Sequence, residues 1–324
     1  MSTLDTINLA HRSDLDNLNK RITDGLQSGN SLMSRIVLSL LRTKGKQLRP
    51  LLLIMCAKMF GPVDEKVLAA AAAVELIHNA SLIHDDVVDN SMTRRGAPTV
   101  NAVWDNHIAV LVGDYFTSSA MQEAISTGDI RIIDSLCKLG RRLSLGEIDQ
   151  ICNAREHSLS EENYYRIIDY KTASLFVASA EMGCYAAGAP DEAREILARY
   201  ALLFGRCFQI RDDVFDYYPS ELVGKPTGND LREGKISLPL LHALADDNLV
   251  GHTRASALIA QESLTDTEIG FLQAYARDNG GISYAFDAMH RLRDEACRDL
   301  DLLGASEVRD QLLELFDFII ERQF

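Results

Sequence analysis

The seven prolines of this 324-residue chain leave its long apolar stretches uninterrupted. Pro50, Pro62, Pro98, Pro190, Pro219, Pro226 and Pro239 stand beside turn-like residues or at the edges of stretches with helical periodicity. Proline fits a helix's first turn but removes a hydrogen bond and clashes in its interior. This placement predicts an all-α protein, with helices near 4–26, 31–42, 47–59, 65–90, 100–125, 129–154, 160–187, 191–217, 236–246, 252–261, 266–279, 282–302 and 306–322. "LLIMCAKMF", "KVLAAAAAVELIHNASLIH" and "TASLFVASAEMGCYAAGA" are apolar around much of the helix, as central, buried helices are. With 47% hydrophobic residues the chain can bury a large core. No repeat, low-complexity linker or composition break divides it, so residues 1–324 read as a single domain.

The longest apolar runs, "PLLLIMCAKMF" and "VLAAAAAV", fall short of the roughly 20 residues that cross a bilayer. The N-terminus has no basic segment followed by an apolar core, so the expected location is cytoplasmic. Six scattered cysteines form no C-x-x-C pair, which points to reduced, mostly buried thiols rather than zinc or disulfides. A net charge of −14 disfavours nucleic acid or an anionic membrane surface as a partner reached by bulk electrostatics. An anionic small substrate requires cations gathered locally.

The segment "LIHDDVVDNSMTRRG" gathers both signs of charge. On a helix Asp85 and Asp89 share a face one turn apart, and Asp86 lies about 100° round. Like charges at that spacing destabilise a helix, so something must compensate. A lone triplet of this kind is as readily a solvated helix end. The same triplet recurs 127 positions later in "FQIRDDVFDYY" as Asp212, Asp213 and Asp216, again ending a long apolar helix. If aspartate fills roughly 6% of positions, two such triplets arise by chance in about one chain of this length in a thousand. Two carboxylate clusters make an oxygen-rich site suited to Mg²⁺, which completes its octahedron with water and substrate phosphates. No D-x-D-x-D-G loop argues for a dedicated Ca²⁺ site.

The cations complete the pattern. Arg94 and Arg95 can fork onto phosphate oxygens, as can Arg49 in "GKQLRP" with Lys46 three residues before it. Singly, each reads as a surface salt bridge. Together, in an acidic chain, they suggest a site for a diphosphate. The polar loop "GKPTGNDLREGK", with Lys225, Asp230 and Lys235, could be a lid or a solvated turn, and composition alone favours the turn.

These blocks resemble the trans-isoprenyl diphosphate synthases, a family of helical prenyltransferases. The resemblance spans about residues 40–245 through "GKQLRP", "ELIHNASLIHDDVVDNSMTRRG", "LVGDYF", "GEIDQ", "YKTASLF", "FQIRDDVFDY" and "GKPTGNDLREGKISLPL", in the family's order. It is closest to the long-chain, octaprenyl type. It implies a single-domain isoprenoid-synthase bundle with a central cavity, usually a homodimer. It implies Asp85, Asp89 and Asp212 as the main Mg²⁺ ligands, for up to three ions, supported by Asp86, Asp213 and Asp216. Arg94, Lys171, Lys225 and Lys235 would hold the allylic diphosphate, with farnesyl diphosphate as the expected primer, and Thr172 and Gln209 would line its path. Lys46, Arg49, His78 and Arg95 would hold isopentenyl diphosphate. A single histidine on an apolar helix is usually a satisfied core residue, and only its place in "ELIHNASLIHDD" raises His78 above that.

The expected mechanism follows from charge. Mg²⁺ and the cations neutralise the diphosphate leaving group, the allylic C–O bond ionises, and isopentenyl diphosphate adds through its double bond. The released diphosphate can take the final proton. In the family, bulky aromatics just before the first aspartate motif stop short chains. Here Ala80 and Ser81 stand there, with Ile77 and Ala73 lower on a similar face, so the block looks like a long-chain synthase that supplies quinone side chains. Met121, Ile125, Ile132 and Leu136 are candidates for the pocket floor, and close helix packing explains Ala80 equally well. Transient membrane contact during product release is a further expectation. The alternatives are a farnesyl or geranylgeranyl diphosphate synthase, whose aromatics are missing here; a class I terpene cyclase, which would lack the second aspartate motif; and a non-catalytic partner subunit, which would have lost one motif.

Overall fold

The structure, a computed structural model, describes residues 3–42, 45–223, 227–261 and 263–322. Its helices are α1 (Thr3–Ala10), α2 (Arg12–Gly25), α3 (Ser31–Arg42), α4 (Leu48–Lys58), α5 (Glu65–Val88), α6 (Val100–Val103), α7 (Asn106–Ser126), α8 (Ile130–Glu156), α9 (Glu161–Ile168), α10 (Ser174–Ala187), α11 (Asp191–Phe215), α12 (Ser220–Val223), α13 (Asn229–Arg232), α14 (Leu238–Leu244), α15 (His252–Ile259), α16 (Asp266–Asp278), α17 (Gly281–Asp301) and α18 (Glu307–Glu321). Among the described residues, the extended structure is one antiparallel pair, β1 (Thr93–Arg94) and β2 (Ala97–Pro98), with Thr93 opposite Pro98 and Arg94 opposite Ala97. The all-α expectation holds.

The helices form two compact units. One comprises Met1–Arg141, Leu175–Ala198 and Ala305–Leu312; the other comprises Arg142–Ser174, Arg199–Gly304 and Leu313–Phe324. In the first, α5 is the central helix and packs chiefly against α7, then α2 and α4. It starts where Asp64 accepts the Val67 N–H at 2.9 Å, satisfying one of the donors a helix leaves open at its start. Ala69 to Val74 are at most 1% exposed, so the run of small residues is used for close helix packing. This 24-residue helix has the length and hydropathy to cross a membrane, beyond what the shorter runs suggested, yet most of its apolar window is buried inside the chain. In the second unit, Tyr200 and Phe204 stack and Phe316 meets both edge-on, with ring centroids 5.6–6.0 Å apart, and α14, α16 and α17 pack together.

Three predicted helices are interrupted. The 4–26 stretch breaks at His11, and the 100–125 stretch breaks at Trp104 and Asp105. There Asp105 caps α7 by accepting the Ile108 N–H at 2.9 Å. The 160–187 stretch contains a π-helical segment, Asp169–Ala173. Of the cysteines, Cys56, Cys184 and Cys207 are buried, whereas Cys137 and Cys152 are exposed, fewer buried thiols than expected.

Candidate active site

Asp85 and Asp86 lie in the last turn of α5, and Asp89 is its C-terminal cap. A helix's C-terminal end carries partial negative charge, so carboxylates there are unfavourable without a cation. Arg94 supplies one. It reaches back from β1 and places Nε and Nη2 each 2.8 Å from Asp86 Oδ1. Asp86 is 5% exposed, and burial still raises its pKa despite this partner. Asn101 donates to the carbonyls of Asp86 and Ser91, at 3.2 and 3.1 Å, and so closes the helix end. Asp85 is half-buried and Asp89 exposed.

The β1–β2 turn aims the second arginine. Arg95 and Gly96 have φ of 53° and 75°, the two left-handed residues of a tight hairpin turn. The Arg95 guanidinium fills the space beside Gly45, where a Cβ would stand 2.5 Å from Nη2. Glycine in "GKQLRP" is thus the seat of Arg95. Arg49, on α4, lies 4.7 Å over the Phe176 ring. His78 is buried, and burial together with the charges of Arg49, Arg95 and Arg94 pulls it well below the usual imidazole range, so its ring is neutral at pH 7. Lys46 is exposed.

His84, just before the motif, sits against α7: Nε2 is 3.3 Å from the Val110 carbonyl and 3.5 Å from Asp114. A Cβ on Gly113 would lie 2.2 Å from that nitrogen, so the glycine in "LVGDYF" makes room for the ring.

The second motif ends α11 with Asp212 and Asp213, and Asp216 lies just beyond. Asp213 is buried and fully engaged. The Tyr164 hydroxyl donates to Oδ2 at 2.6 Å and Gln209 Nε2 donates to Oδ1 at 2.7 Å. Thr172 in turn donates to Gln209 Oε1 at 2.6 Å. Burial, then the charge of Asp230, pushes Asp213 well above the usual carboxylate range. Asp216 organises the following loop by accepting the backbone N–H groups of Gly228, Asn229 and Asp230 at 2.8, 3.3 and 3.1 Å. Asp212 accepts from the guanidinium of Arg322, which also lies 4.7 Å over the Phe208 ring.

A cavity of ≈ 170 Å³ opens beside Asp213, lined among others by Lys171, Thr172, Gln209, Asp230 and Lys235. The π-helical segment sets Lys171 and Thr172 there. Arg206 clamps its first residue, Asp169, through two bonds of 2.7 Å. Gly146 of α8 lets its backbone approach, since a Cβ would meet the Lys171 nitrogen at 2.9 Å. Glu147 pairs with Lys171 at 2.6 Å. Asp230 is pushed up to about 6 by burial and then by the Asp216 charge, against the pull of Lys235 and Lys171.

The structure therefore gathers Asp213, Lys171, Thr172, Gln209 and Lys235 around one cavity, and Arg49, Arg94, Arg95 and His78 into one electrostatic cluster. Lys225 lies outside the described residues. Among the proposed wall residues, Ala73, Ile77 and Ala80 are buried, and the Ser81 hydroxyl donates to its own helix at the His78 carbonyl. Ile132 and Leu136 are core, but Met121 and Ile125 are 49% and 62% exposed, so within one chain they face outward rather than close a pocket. Sequence reasoning missed Glu75, Tyr164, Glu147 and Arg322. Glu75 had a visible signal, a charge in an apolar helix one turn before His78; the others act through partners far away in sequence.

The profile of the Polyprenyl synthetase family matches residues 30–275. An octaprenyl diphosphate synthase from Haemophilus influenzae is 32% identical over 328 residues, covering 100% of this chain and 98% of that protein. The crystal structure of a decaprenyl diphosphate synthase from Rhodobacter capsulatus superposes with a TM-score of 0.92 at 32% identity, covering 99% of both chains. A polyprenyl synthase from Caulobacter crescentus, crystallised with calcium and isoprenyl diphosphate, gives 0.90 at 33% identity over 99% of this chain and 98% of that one. The chain belongs to the polyprenyl synthetase family of prenyltransferases.

Proposed function

We propose that this chain is an all-trans long-chain polyprenyl diphosphate synthase, octaprenyl-like, that condenses isopentenyl diphosphate sequentially onto an allylic diphosphate such as farnesyl diphosphate. The observation that carries the reading is that each aspartate motif ends a buried helix beside its own set of cations: Arg94, Arg95 and Arg49, with the neutral His78, at the first, and Lys171 and Lys235 at the second. The donor set fits Mg²⁺. Asp85, Asp89 and Asp212 offer hard carboxylate oxygens at two helix ends where the backbone dipole favours a cation. Up to three such ions would supply charge neutralisation of the diphosphate when bound.

The chain's own residues do the rest. Lys171, Lys225, Lys235 and Arg94 hold the allylic diphosphate and stabilise charge as its C–O bond breaks. Thr172 is fixed by Gln209 beside that path. Lys46, Arg49, Arg95 and His78 orient isopentenyl diphosphate for attack. Asp86, Asp213 and Asp216 hold the surroundings in place through Arg94, Tyr164, Gln209 and the 228–230 backbone. Small Ala80 and Ser81, one turn before Asp85, leave room for a long tail, and the long-chain relatives support that product class.

The reading treats residues 1–324 as one synthase that works as a homodimer. Supporting this, α7 exposes Val110, Leu111, Met121 and Ile125 at 41–62%, an apolar stripe suited to a second copy. The enzyme is cytoplasmic. Its product gains ~0.8 kcal/mol per CH₂ on entering a bilayer, so release involves transient membrane contact and feeds quinone side chains.

The test is incorporation of radiolabelled isopentenyl diphosphate with Mg²⁺ and farnesyl diphosphate, with dephosphorylated products resolved by length. Products of about seven to nine isoprene units are expected. Products ending at about four units would keep the chemistry and overturn the long-chain assignment. No incorporation with any primer would indicate a partner subunit.

A further inference from the structure

Glu75 stands one helical turn before His78 on α5, in a helix where an unpaired charge is costly. Its Oε2 is sealed from solvent and has no hydrogen-bond partner among the described residues. The charges acting on it come from Arg49 on α4 and Arg95 in the hairpin turn, and the Asn79 side chain on its own helix also reaches it. Burial outweighs these and pushes the carboxyl up to about 7. The neighbouring His78 is neutral under the same guanidinium groups. A cluster of this kind concentrates like positive charges, which an ionised carboxylate offsets. A diphosphate brings its own negative charge to the same cations, and the carboxylate then becomes a like charge beside the ligand.

We propose that Glu75 is the adjustable counter-charge of this cation cluster: ionised against Arg49 and Arg95 in the free protein, and protonated from solution as a diphosphate binds. The carboxylate gains one proton from the buffer, and no bond of the ligand changes. Glu75 is thus a positioning residue whose charge yields to the substrate's. The proposal rests on the reading that Arg49 and Arg95 hold isopentenyl diphosphate.

The experiment is calorimetric titration of isopentenyl diphosphate, without divalent metal, into the full chain at about pH 8 in two buffers of different ionisation enthalpy. At that pH the ligand's phosphates have already lost their protons, so net uptake comes from the protein. Wild type is expected to take up as much as one proton per ligand bound, and its affinity to fall by up to about tenfold per pH unit above 7. Glu75→Gln is expected to bind with no uptake and a flat pH dependence. Binding by wild type without uptake, or equal uptake in Glu75→Gln, overturns the proposal while leaving the assignment of Arg49 and Arg95 to isopentenyl diphosphate standing. Binding that is unchanged in Arg49→Gln, or absent in wild type, removes the assignment of these arginines to isopentenyl diphosphate and the proposal with it. Should Glu75→Gln fail to fold, infrared difference spectra of wild type decide: a carboxylate band replaced by a protonated-carboxyl band on ligand addition supports the proposal, and an unchanged carboxyl region overturns it.

Discussion

The first aspartate motif closes α5 and the second closes α11, and in each the middle residue is the buried one: Asp86 and Asp213 are both 5% exposed. Their partners differ in kind. Asp86 is answered by a cation, Arg94, eight residues on, whereas Asp213 is answered by two neutral donors, Tyr164 from α9 and Gln209 one turn earlier on α11. The third residues differ as well. Asp89 stays exposed at the helix end, while Asp216 spends its oxygens on the backbone of residues 228–230. One pattern of letters therefore builds an open, locally balanced carboxylate cluster in one place and a loop-organising, networked one in the other.

Four changes break or sharpen this contrast. The largest effect is expected at the outer carboxylates. Asp85→Ala and Asp212→Ala should each lower turnover by about 10²–10³-fold or more with an unchanged helical circular dichroism spectrum; unfolding instead would make these residues structural. Next, Asp213→Ala strands the Tyr164 hydroxyl and Gln209 amide and should cost about 2–4 kcal/mol in urea unfolding. Asp86→Ala frees only a half-exposed Arg94 and should cost about 1 kcal/mol. Equal costs would erase the distinction between cationic and neutral support.

The two glycines come third. Gly113→Ala drives a methyl into the His84 ring, and Gly228→Ala forces a φ of 75° on alanine with its Cβ 2.5 Å from Ile269. Each should lower stability by about 1–3 kcal/mol. Gly113→Ala should disturb metal affinity at the first motif and Gly228→Ala at the second, as read by Mn²⁺ titration of the complementary Asp→Ala variants. The smallest effect is in pH dependence. Glu75 is raised to about 7 and Asp230 to about 6, so each binds protons more tightly folded than unfolded. The stability they contribute is present in acid, below their unfolded values near 4, and is lost as pH rises through about 6 and about 7. Glu75→Gln and Asp230→Asn should flatten the upper and lower parts of that decline in urea midpoints measured across this range.

Much of the first cluster was legible from sequence because its parts are local: Asp86, Arg94 and Arg95 fall within ten residues, and helix geometry alone puts Asp85 and Asp89 on one face. The proline positions likewise revealed the long helices. The hairpin that aims Arg95 did not show, because two-residue strands carry no periodicity. Nor did the network behind Asp213, since Tyr164, Thr172 and Gln209 meet only after folding. The helix expected to run unbroken from 160 to 187 hid the π-helical segment, whose causes, the Arg206 clamp and the Gly146 gap, lie elsewhere in the chain.

That segment makes the site sensitive to counting as well as to chemistry. A π-helical turn accommodates one residue more than the α-helical turn it replaces, so it amounts to a built-in insertion. Deleting a single residue, such as Ala173, would let the helix heal into regular α geometry, with every hydrogen bond of the backbone satisfied. Lys171 and Thr172 would keep their identities and lose their aim. A gap of one position at this point in an alignment would therefore mark a chain that has kept the fold and the aspartates but given up the placement of its cavity-lining lysine.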